Sequence, residues 1–207
     1  TSTLNMRFFP ELEALAKSQG LTRSQIWRYL KPNLTMQAFR SLGYQSVAFD
    51  SGYYWSSMDQ ADIYLQPWED IGDPPYMTDF EYTLLKGTPL IAWYDRPGTP
   101  EPTWLDDLSF PYWYHVAQQE YILEQAPHIA EIEAPTFTFI HVMIPHEPMV
   151  FSPERINTST PYFNGGSNWP ATPAVFQQAY INGVEYLNPR MLEVVDRILK
   201  ESDAPPI

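Results

Sequence analysis

The sequence predicts an α/β fold with a mainly parallel sheet and helices on both faces, and three observations carry that expectation. Helical runs closed by Gly20 and Gly43 lead into an apolar run at residues 45–50. A second apolar run, at residues 136–144, is largely hydrophobic on both of its faces, and a long amphipathic stretch follows at residues 174–201. A strand that is apolar on both sides belongs in a parallel sheet covered by helices.

The elements follow in order. Leu12, Leu15 and Ala16 recur at helical spacing before Gly20, and Thr22 is placed to cap a short helix carrying Ile26, Trp27 and Leu30. Pro32 suits the first turn of the next helix, with Leu34, Met36, Phe39 and Leu42 turned inward and Gly43 as its stop. Val47 and Phe49 then alternate with Ser46 and Ala48 in a strand that ends at Ser51-Gly52, and residues 62–65 read as a second strand. Residues 79–86 read as a helix stopped by Gly87, after which Thr88-Pro89 either caps a further turn or leads into a strand at 90–94. From 112 to 133 the spacing is helical again, with Trp113, Val116, Ala117, Tyr121 and Ile122 on one side and a break at Pro127. The strand at 136–144 leads into a polar loop, 147–173, that turns at Asn164-Gly165-Gly166. In the final helix Pro189 must kink or restart the spiral, because its ring collides with the carbonyl of Glu185.

Composition narrows the function. The 207 residues read as a single α/β segment, 1–207, with 12 Lys and Arg against 25 Asp and Glu, a net charge of −13. A field of that sign repels phosphate backbones, so nucleic acid is not an expected partner. With no cysteine in the chain, a disulfide scaffold, cysteine-bound zinc and a cysteine nucleophile are all excluded. Apolar residues at 44% and aromatic residues at 15% place the negative charge on a folded body, and 21 prolines predict rigid connections. No apolar stretch approaches the roughly 20 residues of a helical membrane span.

Chemistry concentrates at Pro145-His146-Glu147-Pro148, just past the end of the apolar strand, where parallel sheets collect ligands. Two prolines fix the backbone around His146, which reads either as a loop histidine held in a Pro-rich turn or as an imidazole set to donate to an oxyanion or to protonate a leaving group. His141 lies within the strand among phenylalanines and reads as a core histidine, and an offset of five in an extended chain sends it to the opposite face from His146, against a metal pair. Asp50-Ser51-Gly52 also follows a strand and reads chiefly as a turn; Glu69, Asp70, Asp73 and Asp106-Asp107 lack calcium-loop spacing; Tyr53-Tyr54-Trp55 reads as packing more than as a sugar platform. Phosphate-loop, HExxH, GxSxG and GxGxxG motifs are absent.

The run at 135–151, Pro-Thr-Phe-Thr-Phe-Ile-His-Val-Met-Ile-Pro-His-Glu-Pro-Met-Val-Phe, is followed by Tyr-Ile-Asn-Gly-Val-Glu-Tyr-Leu-Asn at 180–188 and Val-Val-Asp-Arg-Ile-Leu at 194–199. Together with Ser-Thr-Leu-Asn-Met at 2–6, the segment from Leu42 to Gly52 and Glu-Tyr-Thr-Leu-Leu at 81–85, this order resembles the bacterial sulfatase-like hydrolases of the alkaline phosphatase superfamily. The resemblance implies an alkaline phosphatase-like fold and an ester hydrolase or head-group transferase in which a metal-activated nucleophile attacks a sulfate or phosphate ester. It implies that His146 contacts the transferred group, and His141 is carried with it as a candidate substrate contact; no metal ligand is assigned within the chain. The family's Asp-Gly metal strand and nucleophile would precede Thr1, and its Asp-His strand would follow Ile207. The chain is therefore expected to be an incomplete central piece, inactive alone, with zinc, manganese or calcium bound only by the complete domain. Small sulfate or phosphate esters are the implied substrates, and an extracytoplasmic domain of a membrane-anchored protein is the implied setting. The rival expectation is a non-catalytic binding or interaction module derived from the same fold.

Overall fold

The computed structural model describes residues 3–5, 9–22, 25–26, 31, 33–53, 56–67, 84, 88, 113–154, 156, 173–204 and 206. Among them the chain is α/β, with three parallel strands and four α-helices. The helices are α1 (Phe9–Gln19), α2 (Leu34–Ser41), α3 (Trp113–Gln125) and α4 (Pro173–Glu201). The strands are β1 (Gln45–Phe49), β2 (Ile63–Leu65) and β3 (Thr136–Phe139), in the order β2-β1-β3. The chain divides into two compact units, one of residues Thr1–Gln66, Ile122–Val142 and Val194–Ile207, the other of Pro67–Tyr121 and Met143–Glu193.

The first unit holds the sheet. β1 is central, with Val47 opposite Ile63 on one side and opposite Thr138 on the other, and Val47, Ala48 and Phe49 are fully buried. Ser46 and Ala48 are as buried as Val47 and Phe49, so both faces of this central parallel strand are covered. Met36 of α2 packs with Ala48 and Met58, and Leu4, Tyr64, Phe137 and Phe139 close the cluster. Phe39 stacks on Phe137 at a centroid distance of 4.6 Å. Gly43 ends α2 at φ 87°, a left-handed conformation in which glycine carries no steric penalty.

Several expectations are corrected. α2 begins after Pro32, with Asn33 as its cap: the Asn33 side chain accepts from the Met36 N–H at 2.7 Å, satisfying one of the donors that the first turn of a helix leaves unpaired. Leu34 and Leu42 are not inward but 41% and 73% exposed, because Met36 and Phe39 already fill the face that meets the sheet and Leu42 lies at the cap, past the last helical turn. The strand expected at 136–144 stops at Phe139. Its ladder with β1 ends at the Ala48–Phe139 pair, and without ladder hydrogen bonds the apolar run from Ile140 onward is not strand. On α3 the buried face includes Gln118 and Gln119 beside Val116, Ile122 and Leu123, while Trp113, Ala117 and Tyr121 are half-buried. α3 gives way at Gln125 to a 3₁₀ turn, Ala126–Glu131, with Pro127 in its first turn, and α4 continues through Pro189. At Thr22 the capping group is the Gln25 side chain, whose Oε1 accepts from the Thr22 N–H at 2.8 Å and from the Thr22 hydroxyl at 2.9 Å, and Trp27 and Leu30 lie outside the described residues. The helix expected at 79–86 (Leu84 apart, which is helical), the 90–94 strand and the Asn164-Gly165-Gly166 turn also lie outside them.

An ionic and hydroxyl network ties α2 to the strands. Asp62 Oδ2 accepts from Ser46 Oγ at 2.6 Å, from the Ser46 N–H at 2.8 Å and from Arg40 Nε at 2.9 Å. The two Ser46 bonds, with Arg40 adding to them against a smaller opposing effect of burial, pull the Asp62 carboxyl from its ordinary 3.8 to about 2. A depressed carboxyl stabilises the fold above its unfolded pKa and loses that contribution as pH falls through the folded one. The stability difference between the wild type and Asp62→Asn is therefore expected to be full above about pH 5 and to shrink between about pH 4 and pH 2, as measured by urea midpoints across that range. A difference that stays flat from pH 5 to pH 2 would contradict the network.

Candidate functional site

His146 belongs to the second unit, on the loop that follows β3. Pro145 and Pro148 leave that loop short of amide donors, so its shape depends on a few anchored groups. The His146 N–H donates to the Met143 carbonyl and closes a turn, and the peptide bonds Ile144–Pro145 and Glu147–Pro148 are both cis. The Met143 N–H donates to Oε1 of Gln119 on α3 at 2.7 Å, in a buried bond. From α4, Gly183 comes so near that a Cβ there would lie 2.9 Å from Pro145 Cβ and 3.3 Å from its Cα. Only glycine lets the helix backbone approach the proline ring this closely.

The imidazole has a defined tautomer. His146 Nδ1 lies 2.9 Å from the Glu147 carbonyl oxygen, and a carbonyl can only accept, so Nδ1 carries the proton. Nε2 then holds the lone pair in the neutral ring and the second proton in the charged one. The His146 side chain is exposed, on a backbone held in place by two helices.

Beside it stands a histidine that the sequence reading passed over. His115 of α3 is largely buried, its Nε2 closed off from solvent with no hydrogen-bond partner among the described residues, and its ring meets Phe151 edge-on at 5.7 Å. Burial pushes this imidazole down to about 4, and the neighbouring His146 adds to the drop, so His115 is neutral at pH 7. Phe151 packs in turn on Tyr186 at 5.0 Å, Arg190 lies 4.2 Å over the Tyr186 ring, and Arg190 pairs with Glu120 at 2.7 Å. His115, Gln118, Gln119 and Ile122 recur at i, i+3, i+4 and i+7, the spacing of one helical face. A search confined to apolar residues misses that face because three of its four members are polar.

The other candidates sit elsewhere. His141 belongs to the sheet-bearing unit, half-buried past the end of β3, its ring 6.4 Å from that of Phe139. Asp50-Ser51-Gly52 is a turn: the Gly52 N–H donates to Asp50 Oδ1 at 3.1 Å, and the buried Ser51 and Ser56 hydroxyls bond at 2.8 Å. Tyr53 is exposed, whereas Tyr54, Trp55, Glu69, Asp70, Asp73, Asp106 and Asp107 lie outside the described residues. Among the described residues no three His, Asp or Glu side chains converge to hold a metal ion, and no helix is long and apolar enough to cross a membrane. Compared with family models, curated proteins and solved structures, the chain matches none.

Proposed function

We propose that the chain is part of the catalytic domain of a sulfatase- or phosphatase-like hydrolase of the alkaline phosphatase superfamily, in which His146 contacts the sulfate or phosphate group being transferred. The observation that carries this reading is the setting of one imidazole. His146 stands between two prolines at the end of a hydrogen-bonded turn and commits its Nδ1 proton to the Glu147 carbonyl. A ring held in that way can use Nε2 alone toward a substrate: when protonated, it donates to a non-bridging oxygen or gives its proton to the departing alcohol oxygen.

The sequence resemblance supplies the reaction class and assigns the nucleophile and the divalent-metal ligands to segments outside residues 1–207. The described residues do not fit a metal site, so no step is assigned to a metal held by them. The chain alone, supplied with zinc, manganese or calcium, is expected to hydrolyse neither aryl sulfate nor aryl phosphate. A protein joining it to the Asp-Gly, nucleophile and Asp-His segments is expected to hydrolyse at least one. Turnover by the chain alone would overturn the placing of the nucleophile, and an inert longer protein would overturn the hydrolase reading.

A further inference from the structure

Building on the reading of His146 as the substrate contact, we infer that Gln119 is its positioning residue, acting through the main chain of Met143. Gln119 is 0% exposed, and an amide side chain is placed at such cost in the interior only when it has partners. Its Oε1 accepts from the Met143 N–H at 2.7 Å, while the carbonyl of the same Met143 accepts from the His146 N–H. One residue thus receives the anchor from α3 on its amide side and passes it to His146 on its carbonyl side. Met143 is itself buried, so water cannot replace the Gln119 oxygen. Gly183 backs Pro145 from α4, which leaves the turn no room to slide toward that helix.

The test uses the full 207-residue chain, labelled with ¹⁵N, at pH 7. Two-bond proton–nitrogen spectra report the tautomer of each imidazole, and His128, whose Nδ1 pairs with Glu131 at 2.6 Å, serves as an internal reference in the other unit. The wild type is expected to hold His146 in the Nδ1-protonated form. Gln119→Met keeps the side-chain bulk and removes the acceptor. It is expected to redistribute the His146 tautomers, to leave His128 unchanged and to speed exchange of the Met143 and His146 amides by about tenfold. Unchanged His146 signals overturn the inference, as does an equal change at both histidines, which marks general loosening. Should Gln119→Met fail to fold, exchange in the wild type decides: a Met143 amide protected in step with that of His146 supports the anchor, and one that exchanges like a surface amide overturns it. These spectra need no turnover, so they stand or fall separately from the hydrolase reading.

Discussion

Phe49→Ala is expected to remove about 3–5 kcal/mol of stability, the range for deleting a buried aromatic ring. Phe49 is 0% exposed at the end of the central strand, opposite Leu65 of β2. Backbone movement closes the cavity poorly, because Phe49 is paired with Leu65 and the adjoining Val47 and Ala48 are paired along both edges. A natural domain holds about 5–15 kcal/mol in total, so the loss is a large fraction of it. Leu42→Ala provides the contrast: the Leu42 side chain is 73% exposed beyond α2, and its removal is expected to stay within about 0.5 kcal/mol. Urea denaturation of both variants measures the two values, and a Phe49→Ala loss below about 1 kcal/mol would contradict a closed core around β1.

The contrast between Phe49 and Leu42 also shows where a sequence speaks for its fold. Gly20 and Gly43 were legible as helix stops because the left-handed turn, at φ 63° and 87°, is a property of one residue and its neighbours. The strand around Val47 was legible for the same local reason. Strand length was not: the apolar run continues through Ile140, Val142, Met143 and Ile144, yet the ladder with β1 ends at the Ala48–Phe139 pair, which no local pattern marks. Leu34 and Gln119 mark the two ways in which polarity misleads. An apolar residue goes inside only if the facing surface has room for it, and a polar one goes inside when a buried group needs it. Gln119 is inside because the Met143 N–H, 24 positions along the chain, needs an acceptor. The site divides along the same line. His146 announced itself through the prolines beside it, whereas its supports, Gln119 and Gly183, and its neighbour His115 come from helices distant in sequence, beyond the reach of any local pattern.

In the longer protein that joins this chain to the family's nucleophile and metal segments, His146→Ala is expected to lower kcat/KM by about 10²–10³, the usual effect of removing one donor aimed at developing negative charge. The size follows from the anchoring. A histidine on a loose loop would be replaced in part by water, but this ring has its Nδ1 proton fixed on a main-chain carbonyl and its backbone fixed through Met143. Glu147→Ala separates the side chain from the carbonyl. The group that holds the imidazole is the Glu147 main-chain oxygen, which alanine retains, so this variant is expected to keep kcat/KM within about threefold of the wild type if orientation of the ring is what matters. On the proposed role, in which the imidazole acts on charge that grows in the transition state, the His146→Ala loss should appear mainly in kcat and less in KM. Unchanged kinetics in His146→Ala would remove His146 from the site, and a loss confined to KM would make it a ground-state contact without a part in the chemical step.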